Sequence, residues 1–281
     1  MHSNNKSENF YLTIFSYIIS LFLGWQIFSF INIYFQLNEN KIQFSFDQWM
    51  DIQFTYFPVI VITLIIVAVI LLNRNAIKQK LYPLNYTALK RMLIWITILI
   101  SGVLANYILS IFNISQNIIE LINFVIAILC LNQLSKVFYI KEKLTWFHPT
   151  TVSSFIISVA LLGISQMLIF ETVIFPFKRY AYLLLIILTL ELLRIFSRFK
   201  YLTKYSFETN MIARSLLGKY GIYFGVRVVA GIFMPIVYTI YALYANEKLF
   251  QGVGALIIIG EFIERLLFVY LSDSVVHDPK N

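Results

Sequence analysis

The 281-residue chain is 59% hydrophobic and 17% aromatic, with only 13% charged residues and a mean hydropathy of +0.77. No soluble domain of this size has that balance, so a water-soluble enzyme core is excluded and an all-α polytopic membrane protein is expected. The formal charge of +8 would point to nucleic acid in a soluble protein, but here its concentration in particular loops has a topological meaning.

Eight stretches are long and apolar enough to span a bilayer, allowing for tilt and ragged ends: 10–34, 57–72, 92–112, 118–138, 152–170, 180–196, 220–244 and 250–270. The first is longer than a signal-peptide core and no small-residue cleavage pattern follows it, so it is expected to be a mature helix. The longest connections, 35–56 and 197–219, are too short to bury a core of their own, which leaves a single transmembrane domain.

Basic residues sort between the two sides of this ladder. Sixteen of the 22 Lys and Arg lie at the N-terminus, in the connections after spans two, four and six (Arg194 counted with the last), and in the C-terminal tail. Only Lys41, Lys178, Arg179 and Lys248 lie on the opposite side, while Arg227 and Arg265 fall within spans. The positive-inside rule therefore places both termini in the cytoplasm. Segment 197–219 alternates bases with apolar residues, from Arg198 and Phe199 to Leu216 and Leu217, as expected of a helix in the headgroup layer or a docking surface.

Absences narrow the chemistry. Cys130 is the single cysteine, and His2, His148 and His277 all lie in termini or connections, so neither an iron–sulfur cluster nor bis-histidine haem is expected in this chain. No lysine lies in mid-span for a Schiff base, and no metalloprotease or phosphate-loop motif appears. A self-contained enzyme is not expected.

Intramembrane charge is costly and marks candidate sites. It is concentrated in Glu191 and Arg194 of span six, Arg227 of span seven, and Glu261, Glu264 and Arg265 of span eight, with Asn106 in span three. Glu191 with Arg194 and Glu261 with Arg265 have the spacing of intrahelical ion pairs. Arg227 lies about two turns inside its span and needs a carboxylate partner, for which Glu261 and Glu264 are nearest in sequence. Gly225 to Pro235 resembles the broken helices of transporters.

The last two spans, with Tyr223, Phe224, Gly225, Val226 and Arg227, then Gly231 and Pro235, then the run from Gly260 and Glu261 through Glu264 and Arg265 to Phe268, resemble the membrane anchor subunit of dimethyl sulfoxide reductase. In that family an arginine-bearing helix precedes one with Gly-Glu-apolar-apolar-x-Arg-x-x-Phe. The likeness covers mainly residues 190–270, and the eight-span count agrees with it. It implies a subunit that binds menaquinol and holds an iron–sulfur electron-transfer subunit and a molybdopterin catalytic subunit. It further implies Glu261 or Glu264 as proton acceptor, with Arg227 or Arg265 fixing that carboxylate or contacting the quinol oxygen, and Glu191 nearby.

Two features depart from the family. Its His-Leu-Gly-x-Pro stretch has no counterpart in the first half of the chain. The connection 134–151, with Trp146, Phe147, His148 and Pro149, is a displaced echo through which His148 takes the histidine's place. Members with an exported catalytic subunit keep both termini outside, opposite to the charge count. A small transporter using the charged cluster, and a scaffold whose ion pairs only lock packing, are the alternatives left open.

Overall fold

The computed structural model of the chain describes residues 2–39, 85–111, 117–139, 149–169, 177–244 and 249–273. Among them every element is helical. The helices are α1 (His2–Glu39), α2 (Tyr86–Ile111), α3 (Asn117–Val137), α4 (Pro149–Ile169), α5 (Phe177–Lys204), α6 (Phe207–Leu217), α7 (Gly221–Tyr244) and α8 (Leu249–Asp273). Six of them, α1 to α5 and α7, are long and apolar enough to cross a membrane. The seventh long helix, α8, has 25 residues, about 38 Å at helical rise, but carries Glu261, Glu264 and Arg265 in its apolar run. Seven of the eight expected spans thus coincide with helices, and 57–72 lies outside the described residues.

The bundle is largely apolar on its outer surface and, away from a few buried polar clusters, on its inner one. In α1 and α4, 67% of the spanning window is buried, against 33–39% in α2, α3, α5 and α7, so α1 and α4 are the central helices. The outer helices turn Ile94, Ile118, Ile122, Leu193 and Tyr241 outward, as a bilayer-facing surface requires. Because lipid is as apolar as leucine, close packing must hold the centre together. Gly24 of α1 meets Gly163 of α4 backbone to backbone. A Cβ on Gly24 would stand 2.5 Å from the Val159 carbonyl oxygen and 2.7 Å from the Gly163 nitrogen. Gln166 of α4 ties the same pair by donating to the Leu21 carbonyl at 2.9 Å. Beside this crossing, Phe138, Phe155 and Phe268 pack as a three-ring cluster with centroids 5.0–5.8 Å apart.

Two local features differ from the sequence expectation, each for a physical reason. The basic stretch after residue 196 is not a single surface helix: α5 runs on to Lys204, and the chain restarts at Ser206. There the Ser206 hydroxyl accepts from the Thr209 N–H while the Thr209 hydroxyl accepts from the Ser206 N–H, a reciprocal cap that starts α6. Replacing Ser206 by Ala is expected to cost about 1 kcal/mol of local stability, read as faster amide hydrogen exchange confined to residues 207–217; unchanged exchange there would show that tertiary packing alone holds α6.

Second, α7 is not broken between Gly225 and Pro235 but widens into a π-bulge at Val229–Phe233 within a continuous helix. Pro235 has no N–H and so removes the α-helical donor to the Gly231 carbonyl. Arg227 supplies a replacement from within the same helix, its Nη1 donating to Gly231 O at 3.3 Å.

Candidate functional site

The charged side chains of α5, α7 and α8 converge on one buried network. Glu191, Arg194 and Arg198 repeat along α5 at spacings of three and four and so share a face. That face meets α8, where Glu261 and Glu264 are also three apart. Across from both, α7 presents Arg227. Register decides the meeting: α7 and α8 run antiparallel, with Gly231 against Gly260 and Arg227 against Glu261 and Glu264.

Arg227 is the hub and is 0% exposed. Its Nη2 donates to Glu191 Oε1 at 2.6 Å and to Glu261 Oε1 at 2.5 Å, and its Nε lies 3.6 Å from Glu264 Oε2. Arg194 grips Glu191 with both Nε (2.7 Å) and Nη2 (2.6 Å), and its Nη2 reaches Glu264 Oε1 at 2.8 Å. At the rim, Arg198 Nη1 is 3.7 Å from the same Glu264 oxygen and its guanidinium lies 5.2 Å from the Phe268 ring centroid. Ser158 of α4 donates its hydroxyl to the second oxygen of Glu261, bringing a fourth helix into the network. Tyr17 of α1 donates to the Ile258 carbonyl at 2.8 Å and packs edge-on against Phe262.

Glu191, Arg227, Glu261 and Glu264, singled out in the sequence, are thus brought together in one network. Arg265 lies on the same helix but does not make the pair that its spacing from Glu261 suggests. Its Nε, Nη1 and Nη2 have no hydrogen-bond partner among the described residues, although the side chain is 0% exposed. The guanidinium instead lies over the Phe155 ring, 3.8 Å from its centroid. Glu261 is turned away toward Arg227 and Ser158, and those contacts leave Arg265 without its intrahelical carboxylate. Arg198, expected to snorkel to the headgroups, is turned inward toward Glu264. His148 lies outside the described residues.

A cavity of about 30 Å³ opens beside the network between the end of α5, α6, α7 and α8, with Arg198 and Glu264 as its polar groups and Phe199, Leu216, Phe224 and Leu271 among its apolar walls. Elsewhere, the α2–α3 hairpin buries a second polar group, in which Asn106, noted in the sequence, meets Glu120. Asn106 Nδ2 donates to Glu120, and Asn123 packs its amide against Gly102. Glu120 attracted no attention because an acid in the first turn of a helix is favourable on dipole grounds alone. Ser158 and Tyr17 gave no signal, since buried hydroxyls are common in membrane helices and usually bond their own backbone, as Ser20 and Ser165 do here.

Compared with known protein families, with curated proteins and with solved structures, the chain matches none.

Proposed function

We propose that this chain is an eight-span membrane anchor subunit of a dimethyl sulfoxide reductase-type molybdoenzyme, with both termini in the cytoplasm. In this reading it binds menaquinol at the charged network and passes the electrons to an iron–sulfur partner, which a molybdopterin catalytic subunit completes in anaerobic respiration. The observation that supports it is convergence. The two helices that carry the family resemblance lie side by side, and Arg227, Glu261 and Glu264 from them share one buried network. A likeness confined to sequence would not require those residues to meet.

Quinol oxidation requires that hydroxyl protons be accepted and electrons carried away. Glu261 is positioned to accept a proton, since Ser158 and Arg227 each take one of its oxygens and fix it between α4 and α7. Glu191 and Glu264, bridged by Arg194, continue the carboxylates toward the α5 and α8 ends, where Arg198 and the cavity lie. That row of acceptors offers a path for protons away from Glu261. A second reading, a small transporter, draws on the π-bulge beside Arg227, since such bulges are frequent at functional sites.

Purification from the native membrane in mild detergent, with identification of co-purifying chains and quinone extraction, separates the two readings. Iron–sulfur and molybdopterin subunits with bound menaquinone are expected; a partnerless, quinone-free protein would favour transport. In the assembled complex, Glu261→Gln is expected to lower quinol-dependent turnover at least a hundredfold while the chain stays inserted, because Arg227 keeps Glu191 and Glu264 as partners. Full turnover in that variant would remove Glu261 from the proton path.

A further inference from the structure

Among the described residues the buried charges at and beside the network do not balance. Glu191, Glu261 and Glu264 meet Arg194, Arg198 and Arg227, three against three, and Arg265, buried beside them on α8, is a fourth cation. Guanidinium does not deprotonate in proteins, whereas carboxylates supply at most one negative charge each. Whatever the protonation of the glutamates, these groups therefore carry at least one positive charge in excess. The excess has an address. Arg194, Arg198 and Arg227 each face a carboxylate within 4 Å, but among the described residues Arg265 faces none and finds no hydrogen-bond partner for any of its nitrogens. The Phe155 ring beneath the cation offers the negative face of a π system but no anionic oxygen to balance the charge.

A second orphan lies at the same level. Antiparallel packing of α4 on α8 pairs Ser158 with Glu261 and Phe155 with Arg265, which puts Ser154, one turn before Ser158, at the register of Arg265. Ser154 is 1% exposed, and its hydroxyl has no hydrogen-bond partner among the described residues. A buried planar cation and a buried free hydroxyl on facing helices have the donor chemistry of an anion site, and a buried donor left unmade is costly. At least one negative charge is needed to balance the cluster, and the burial of both donors limits the site to a small anion.

We propose that Arg265 and Ser154 bind one small monovalent anion, of halide or formate size, between α4 and α8. The inference rests on charge balance and free donors and goes beyond the redox reading. It is tested on the isolated full-length chain without quinone or partner, so its failure leaves that reading standing and the failure of that reading leaves it untouched.

The experiment is a titration of the protein in phosphatidylcholine nanodiscs, held at constant ionic strength with gluconate, by chloride and separately by formate, reading the thermal midpoint. A saturable upward shift with either anion is expected, absent in Arg265→Met and needing at least tenfold more anion in Ser154→Ala. Absence of a saturable shift with both anions would overturn the proposal, as would an identical titration in Arg265→Met. Should Arg265→Met fail to fold, Ser154→Ala decides: an unchanged titration midpoint in that variant overturns the site. Arg265→Lys, which keeps the charge but loses the planar fork, is expected to respond at higher anion concentration than the native chain.

Discussion

Replacing Arg227 by Leu is expected to destabilise the protein by about 3–5 kcal/mol, the cost of leaving buried carboxylates without their cation. Two carboxylates lose their shortest contact to this residue, Glu191 at 2.6 Å and Glu261 at 2.5 Å, and the Gly231 carbonyl loses the donor that stands in for the one Pro235 lacks. Glu191 retains Arg194, but among the described residues Glu261 keeps only the Ser158 hydroxyl, so most of the cost falls on Glu261. That asymmetry makes the mechanism checkable. Adding Glu261→Gln to Arg227→Leu removes the uncompensated charge, and the double variant is expected to regain at least half of the lost stability, a coupling that independent sites do not show. The measurement is the unfolding midpoint in a mixed-micelle detergent titration of the native chain, both single variants and the double. An Arg227→Leu midpoint equal to that of the native chain, or a double variant worse than either single, would show that the buried pairs do not carry the packing of α5, α7 and α8.

Conversely, a lysine at this position separates charge from geometry. Arg227 serves Glu191, Glu261 and Gly231 from nitrogens fixed in one plane, and a single ammonium cannot reproduce that fork. An intermediate stability for Arg227→Lys is the corresponding expectation.

What the sequence reveals about this molecule follows from which forces are local. Seven helices were legible because apolar runs of membrane length have few alternatives in lipid, where every backbone group must be satisfied within the segment. The continuation of α5 to Lys204 was masked by its bases, which read equally well as headgroup anchors. The stripe of Glu191, Arg194 and Arg198 at helical spacing argues for a single face, but only the packing of α8 against it shows that this face points inward. The intrahelical pair suggested by Glu261 and Arg265 fails for the same reason. Spacing of four permits a contact, and the stronger interhelical offer from Arg227 and Ser158 overrides it. Register between antiparallel helices is written in no short stretch of sequence, so the meeting of Arg227 with Glu261 was an expectation about need and became a contact only through the fit of Gly231 on Gly260.

That fit supports the last expectation: Gly260→Val will cost about 3 kcal/mol or more and will weaken the network without changing a charge. A Cβ on Gly260 would stand 2.5 Å from the Gly231 Cα and 3.1 Å from Arg227 Nη1. A flexible side-chain end could move aside, but the Cα belongs to the backbone of α7 and cannot shift without carrying the helix along. Separation of α7 from α8 then lengthens the contact between Arg227 and Glu261, because the two residues sit on the helices being forced apart. The consequence is non-additivity. Once Gly260→Val has opened the interface, Arg227→Leu has less left to break, so the double variant is expected to fall short of the summed single costs by about 1 kcal/mol or more, within the range of about 0.5–3 kcal/mol seen for coupled neighbours. Gly260→Ala, with one carbon, is expected to fall between the native chain and Gly260→Val in the same detergent titration. Additive costs would mean that the glycine contact and the ion pairs stabilise the bundle independently, and a native midpoint for Gly260→Val would mean that α7 and α8 are not in backbone contact at this point.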